Sequence, residues 1–290
     1  MIQSMTGFGK VTTELPTKRV TVEIKALNSK QLDLSTRIPA AYKEMEMQIR
    51  SRLLASLERG KVDFSIQVEY IGRDLPTQIN GDAMESYYNQ ISELTQRLGI
   101  PVKVSDWFEA LLRMPEVLRS ITEADESEWA VVRQSVEEAI VRLNSFRTQE
   151  GEMLAKLFAL KIENIAAHLA ELETYEGERL EKIRARINDN LEKIFAADYD
   201  KNRFEQEMIY YIEKLDINEE KNRLRNHLDY FLGTMKSGNG QGKKLGFISQ
   251  EIGREINTIG SKSNHAVMQQ IVVRMKDELE QIKEQVLNVL

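Results

Sequence analysis

Cysteine is absent from this chain of 290 residues. That absence excludes disulfides, thiolate nucleophiles and cysteine-ligated zinc or iron–sulfur sites, and it fits the reducing cytoplasm, where we expect the protein to reside. Long apolar runs are missing too, since none approaches the ~18 residues that a membrane-spanning helix needs. The first ten residues lack a basic segment followed by an apolar one, so we expect no signal peptide and no membrane partner.

An excess of basic residues is also missing, and the formal net charge is −6. Proteins that bind nucleic acid by bulk attraction usually carry a basic stripe or a high pI. The charge is uneven, however, because residues 201–290 hold 14 basic and 13 acidic side chains. Any contact with RNA must therefore be local, or be created when several subunits assemble. Aromatic residues make up only 7% of the chain and charged residues 30%, which favours long solvated helices.

Periodicity divides the chain into three predicted parts, and residues 1–125 form the first. Apolar and polar residues alternate with period two over 18–37 and again over 61–71, as in half-buried strands. Residues 2–9 read as a further strand. A tight hairpin turn is expected at Asn28-Ser29-Lys30. We therefore expect an α+β domain whose small sheet is mostly antiparallel.

Two helices are expected within this first part. Pro39 suits the first turn of a helix, which should run to about Glu58 and stop at Gly60, a C-cap residue. A second helix should cover residues 80–98.

Residues 126–200 form the second part, with a purely helical pattern. Apolar residues recur there at steps of three and four, which favours two long antiparallel helices in a hairpin. This stripe comprises Ile162, Ile165, Leu169, Leu172, Leu180, Ile183, Ile187, Leu191 and Ile194. We expect an arm that projects from the body and serves as a spacer or an oligomerisation surface.

Residues 201–290 form the third, all-α part, with helices expected at about 203–234, 245–259 and 263–289. Between the first two lies GTMKSGNGQGKKLG, which has five glycines, three lysines and no acid. It is not a P-loop, because Ser237 stands where the first glycine belongs and Lys244 follows Lys243. Two interpretations stay open: a mobile connector, or a basic flap whose Lys236, Lys243 and Lys244 contact RNA phosphates.

The pattern of carboxylates in this part indicates possible chemistry. Glu251 and Glu255 are four residues apart, so they share one helix face and repel each other. Arg254 and Lys262 could offset that repulsion, and a divalent cation could do so better, because hard cations prefer carboxylate oxygens.

A second acidic face lies upstream. Glu213, Glu220 and His227 recur every seven residues, with Arg223 between them. Two such helices facing each other would provide an Mg²⁺ or Mn²⁺ site from Glu220, Glu251 and Glu255. Surface ion pairs are the alternative interpretation of the same spacing.

Histidine is scarce, with three residues in the chain. His227 stands among these charges and could serve as an acid or a base near pH 7. We assign no role to His168 or His265, and we find neither a serine-hydrolase elbow nor a reason to expect a small organic cofactor.

Several longer segments resemble the YicC/YloC family of endoribonucleases. They are SMTGFG at 4–9, EIKALNSKQLDL at 23–34, RGKV at 59–62, RMPEVL at 113–118, KLDINEEKNRLRNHLDYF at 214–231, GKKLGFISQEIGREINTIGSKS at 242–263 and KDELEQIKEQVLN at 276–288. The resemblance spans nearly the whole chain. It implies a cytoplasmic bacterial endoribonuclease that depends on a divalent metal, commonly manganese, and forms a hexameric ring enclosing RNA.

The chain departs from the family pattern at two places. Asn28-Ser29-Lys30-Gln31 stands where the family usually has asparagine–histidine–arginine–tyrosine, and Glu116 stands where it usually has glycine. Asn28 and Lys30 are therefore our N-terminal candidates for contact with RNA, in a form altered from the family's. Arg223 is the corresponding candidate in the third part.

The sequence thus predicts a metal-dependent endoribonuclease that acts as a ring-like homo-oligomer. We assign catalysis to five residues of the third part, in which carboxylates hold the cation, cationic groups neutralise charge on the phosphate, and an imidazole or carboxylate moves protons. They are His227, Glu251, Arg254, Glu255 and Lys262. The alternative is a non-catalytic oligomer that clamps RNA and delivers it to another nuclease.

Overall fold

The computed structural model describes residues 2–29, 31–71, 77–99, 104–120, 126–194, 206, 209–210, 213–238 and 240–290. Its contacts define two compact units. Unit 1 comprises residues 1–7, 27–30 and 144–290, and unit 2 comprises 8–26 and 31–143. The three-part division by sequence stays a prediction.

Unit 2 contains a four-stranded sheet, so the predicted α+β class is confirmed. Strands β1 (Gly7–Glu14), β2 (Lys18–Leu27), β3 (Leu32–Arg37) and β4 (Gly60–Tyr70) lie in the order β1-β2-β4-β3. β3 runs parallel to β4, so the sheet is mixed. Because β4 separates β2 from β3, the hairpin predicted at Asn28-Ser29-Lys30 is wrong. Alternation identifies strands without identifying their partners, and Lys30 itself lies outside the described residues.

One face of this sheet builds the core of unit 2. Every second residue of β2 is buried, as its alternation requires. These side chains pack with Ile49 and Leu53 of helix α1 (Glu46–Ser56) and with the first half of helix α4 (Glu126–Glu173). β1 approaches α4 closely, because a Cβ on Gly9 would lie 2.1 Å from the Ala139 carbonyl oxygen.

The helix expected after Pro39 begins as a 3-10 turn at Ala40–Met45 and continues as α1. It ends at Leu57, and Gly60 instead starts β4 with φ 124°. The strand expected at 2–9 begins only at Gly7, as β1.

Three further elements complete the described part of unit 2. Helix α2 (Gly81–Leu98) matches the predicted helix and ends at Gly99 in the left-handed region, and α3 (Val104–Leu112) follows. Strands β5 (Thr77–Ile79) and β6 (Leu118–Ser120) form a separate antiparallel pair. Just before β6, Glu116 adopts φ 62°, a conformation that glycine reaches without strain. Glu116 is the position at which the family usually has glycine.

Helix α4 continues to Glu173, and α5 (Glu176–Ile194) follows after two residues. The predicted projecting arm is wrong for α4. Four members of its apolar stripe are buried in the core of unit 1, namely Ile162, Ile165, Leu169 and Leu172. The stripe therefore has its partner within the same chain. In α5, Leu180 is exposed.

Unit 1 is completed by three helices that pack on this part of α4. They are α6 (Asn218–Lys236), α7 (Gly242–Lys262) and α8 (Ala266–Val286). The three helices predicted for the third part are thus confirmed in outline, but the glycine loop is shorter than expected, because helix includes Lys236 and resumes at Gly242. None of the described helices is both long and apolar enough to cross a membrane.

Candidate active site

The predicted chemical groups lie mainly on the hairpin of α6 and α7. Five residues, 237–241, connect the two helices. At the opposite end of the hairpin, Lys262 Nζ lies 2.7 Å from Glu220 Oε1 and 2.9 Å from the Asp216 carbonyl oxygen. The two helices are therefore antiparallel, and this ion pair fixes which residues stand opposite each other. Glu220 and Lys262 form an ion pair in which the Glu220 side chain is 8% exposed.

Two turns further along, His227 and Glu255 stand at the same level. His227 follows Glu220 by seven residues and Glu255 precedes Lys262 by seven, which is about 10 Å along each helix. Seven residues also return a side chain to the same helix face. His227 and Glu255 therefore lie on the two faces that carry the Glu220–Lys262 pair.

Glu255 is the unusual member of this arrangement. It is 5% exposed, and within the described residues no hydrogen bond or ion pair reaches its carboxylate. A largely covered acid at the same level of the hairpin as a half-buried histidine is a candidate for function.

Glu251 lies one turn nearer the connection and is more open than Glu255. Its Oε2 accepts a hydrogen bond of 2.8 Å from Arg254 Nη1, and the Arg254 side chain is 71% exposed. An ion pair of this kind contributes little to stability. Arg254 is therefore free to turn toward a phosphate.

The predicted cationic contacts spread along the same hairpin. Arg223 pairs with Glu219 one turn before it. Lys236 ends α6, and Lys243 and Lys244 lie in the first turn of α7, where no acid accompanies them. Their side chains are exposed, so they can meet a phosphate backbone. The predicted flap is thus two helix ends with a five-residue connection.

The two N-terminal candidates differ in what the structure describes. Asn28 Nδ2 donates to the Leu287 carbonyl oxygen at 2.8 Å and lies 3.4 Å from Asn288 Oδ1. These contacts give Asn28 a structural role within unit 1. Lys30 lies outside the described residues.

The predicted metal ligands do not converge on one centre. In the part of the chain that the structure describes, no group of three aspartate, glutamate or histidine side chains is placed to hold an ion. Glu220 lies two turns from Glu255 and is engaged by Lys262, although its Oε2 is buried without a hydrogen bond. What remains at the middle of the hairpin is a pair of carboxylates, Glu251 and Glu255. Mg²⁺ is commonly bound by one or two carboxylates with substrate phosphates and water completing its shell, so this pair fits a shared ion better than a resident one.

Reasoning from sequence missed a second group of charges beside the hairpin, of which His265, Arg179 and Lys221 are buried. His265 Nε2 lies 3.1 Å from Lys182 Nζ and 3.4 Å from Glu178 Oε1. A hydrogen bond from Lys182, aided by His265, lowers the pKa of Glu178.

Two further cations lie nearby. Arg179 donates to the Leu215 carbonyl oxygen, and burial lowers its pKa. Lys221 Nζ lies 2.6 Å from Glu176 Oε1. No local motif marks this group, because its members come from distant segments.

Comparison with known proteins covers almost the whole chain. Residues 2–156 match the model of the family described as endoribonuclease YicC-like, N-terminal region, and residues 172–290 match endoribonuclease YicC-like, C-terminal. A probable endoribonuclease YicC of Clostridioides difficile (strain 630) is 30% identical over 295 residues, which cover 100% of both chains. A probable endoribonuclease YicC of Haemophilus influenzae is 27% identical over 299 residues, 99% of each chain.

Proposed function

This chain belongs to the YicC-like endoribonuclease family, and we propose on that premise that it cleaves phosphodiester bonds within RNA. The observation that carries the proposal is Glu255, an acid that is 5% exposed, has no hydrogen bond or ion pair among the described residues, and stands at the level of His227 in the hairpin. The absence of cysteine and the RNA substrate favour a cytoplasmic site of action.

His227 and Glu255 are proposed to move protons at the reacting centre. A carboxylate and an imidazole are side chains that commonly act as general acids and bases in catalysis. Their equal level in the hairpin allows one group to accept a proton from the attacking oxygen while the other donates to the leaving oxygen. Among the described residues, neither group is in an ion pair that it would have to leave in order to act.

Arg254 is proposed to neutralise charge that develops on the phosphate. Its guanidinium is exposed and, among the described residues, is held by Glu251 on the same helix. Arg–phosphate contacts are directional and strong where water is excluded. Lys262 is less suited to this role than predicted, because Glu220 and the Asp216 carbonyl oxygen both occupy its ammonium.

Dependence on Mn²⁺ or Mg²⁺ is part of the proposal. Glu251 and Glu255, one turn apart on α7, would hold the cation together with RNA phosphate oxygens. A cation so placed would stabilise negative charge on the reacting phosphate.

A ring-like homo-oligomer, most simply a hexamer, is also proposed. The apolar stripe of α4 does not support it, because that stripe is buried within unit 1; the exposed surface of α2 does. Helix α2 carries apolar residues on one face, yet none of its residues is buried. Tyr88, Leu94 and Leu98 are 47%, 50% and 57% exposed. Exposed apolar surface of this kind marks contact sites, and assembly of an acidic chain would bring several local basic surfaces together.

One observation favours the alternative of a non-catalytic RNA clamp, namely that no three-ligand centre is found among the described residues. Labelled RNA incubated with purified protein and Mn²⁺, Mg²⁺ or EDTA distinguishes the two. We expect internal cleavage with Mn²⁺ or Mg²⁺ and none with EDTA. A Glu255→Gln variant prepared in parallel controls for contaminating nucleases. RNA that is bound but stays intact with every cation would establish the clamp.

A further inference from the structure

Two exposed aromatic rings stand among the lysines at the connected end of the hairpin. Tyr230 on α6 is 51% exposed and Phe247 on α7 is 67% exposed. Lys244 Nζ lies 4.9 Å from the centre of the Tyr230 ring. Phe247 follows Lys244 by three residues and therefore shares its helix face. We call Tyr230, Lys243, Lys244 and Phe247 the aromatic–lysine patch.

Neither ring has the environment of a core residue. Large aromatic side chains are expensive to leave in water, and burial of Tyr or Phe is the usual outcome. Phe231, the neighbour of Tyr230, is fully buried in the core of unit 1. The hairpin thus buries one ring and presents the next to solvent, together with cationic groups.

The charge of the patch calls for an anionic partner. Lys243 and Lys244 occupy the first turn of α7, and that turn holds no acid. Cations at a helix N-terminus face the positive end of the helix dipole and destabilise the helix. An anion bound there offsets the charge of the lysines and that of the helix end. Phosphate groups therefore suit this site, whereas neutral or cationic partners do not.

The patch is held firmly at its base. The Gly242 amide donates to the Leu290 carbonyl oxygen at 3.0 Å, and a Cβ on Gly242 would lie 2.2 Å from the Val289 carbonyl oxygen. The start of α7 is therefore fixed by close backbone packing. Its first two turns present the lysines and Phe247 in a defined arrangement.

We propose that the aromatic–lysine patch binds single-stranded RNA, with bases stacked on Phe247 and Tyr230 and backbone phosphates on Lys243 and Lys244. Combined stacking and electrostatic contacts are the usual means of binding single strands. Duplex RNA offers no free base faces to the rings, because its bases are paired and stacked inside the helix. The proposal rests on RNA as the substrate and specifies its form.

The aromatic–lysine patch lies next to the proposed reacting residues on α7. Phe247 lies one helical turn, about 6 Å, before Glu251 on the same face of α7. A strand whose base stacks on Phe247 therefore brings a neighbouring phosphate to Glu251 and Arg254. The patch selects unpaired segments and positions them for the proposed reaction.

The test measures binding in EDTA, so that its result does not depend on cleavage. The probes are a fluorescein-labelled, unstructured adenosine-rich oligoribonucleotide and the same strand annealed to its complement. We expect Phe247→Leu and Tyr230→Leu to weaken single-strand binding by roughly 5- to 150-fold each, which is the range for loss of one stacked base. Duplex binding should stay within about twofold, since it uses phosphates alone.

Two further variants separate stacking from a structural role. Phe247→Trp should retain affinity, and its fluorescence should be quenched by the single strand, because a stacked base quenches indole. Phe108→Leu is the matched control, since Phe108 is 61% exposed and lies in unit 2; its single-strand affinity should equal that of the wild type.

Three results would overturn the proposal: unchanged single-strand affinity in both leucine variants, equal loss for single strand and duplex, or a lower mass of Phe247→Leu in light scattering. The last would identify Phe247 as a contact between copies of the chain. If the wild type binds as expected but does not cleave with Mn²⁺ or Mg²⁺, the proposed endonuclease activity fails and the patch stands.

Discussion

Two acidic residues with low solvent exposure on the α6–α7 hairpin differ in their partners. Glu220, 6% exposed, receives the Lys262 ammonium at 2.7 Å. Glu255, 5% exposed and two turns along, receives no ion pair or hydrogen bond within the described residues. The two acids have the same burial on the same pair of helices, so the difference lies in their partners. An acid that is paired with a cation contributes to the stability of a fold, whereas an acid without such a partner is available for chemistry.

Removal of the unmatched charge should produce the largest effect, on activity alone. Glu255→Gln keeps the size and helix propensity of the side chain, and cleavage of labelled RNA should fall by at least ~100-fold. The free energy of unfolding should stay equal or rise, because a charge on a largely covered residue has gone. Glu251→Gln should behave alike, and partial rescue of either by raised Mn²⁺ would support a ligand role. Wild-type cleavage in both variants would place the active site elsewhere.

Removal of the matched cation should act on stability. Lys262→Met leaves the Glu220 carboxylate buried without a partner and should lower the free energy of unfolding by about 2–3 kcal/mol. Urea denaturation followed by circular dichroism measures this loss. The double variant Glu220→Leu with Lys262→Met should regain at least half of it. If the single variant is as stable as the wild type, the two levels of the hairpin do not differ as proposed.

At the connected end of the hairpin, three lysines are exposed to solvent and have a different role from the buried acids. Replacement of Lys236, Lys243 and Lys244 by alanine should weaken RNA binding for all sequences alike. The slope of log K against log salt should flatten by up to about 2, if each lysine neutralises one phosphate of a single strand. Fluorescence anisotropy over a salt series gives the slope. An unchanged slope would leave these residues as a simple connector.

The exposed ion pair should give the smallest effect on stability. Arg254→Gln breaks the contact with Glu251, yet the side chain is 71% exposed, so the free energy of unfolding should change by less than about 0.5 kcal/mol. Thermal unfolding by calorimetry is sensitive enough to decide. A decrease in the free energy of unfolding above about 1 kcal/mol would show that Arg254 stabilises the fold and is not free to bind a phosphate.

Sequence reasoning identified the α+β class, the helices of the hairpin and the family, because each depends on local periodicity or on long motifs. It failed where the answer depends on which distant segment packs on an element. The apolar stripe from Ile162 to Leu172 is compatible with an exposed arm and with a core helix. It is buried because α6, α7 and α8 pack against it. The turn at 28–30 failed similarly, since β4 inserts between its flanking strands.

The candidate site shows the same limit at finer scale. Heptad spacing correctly placed Glu220 with His227, and Glu255 with Lys262, each pair on one helix face. It could not show that Lys262 reaches Glu220 and leaves Glu255 unpaired, because that choice depends on the register of the hairpin. Phe247 was overlooked because an apolar residue in an amphipathic helix is normally expected to be buried.

The contact of Ser4 with Asn288 joins residues 284 positions apart, and Ser4 also forms a bridge with Val289. On a ribosome that adds about 5–20 residues per second, Ser4 waits roughly 15 to 60 seconds for these partners. Ile2, whose side chain belongs to the core of unit 1, stays uncovered for the same interval. Unit 1 therefore closes only after synthesis of both units.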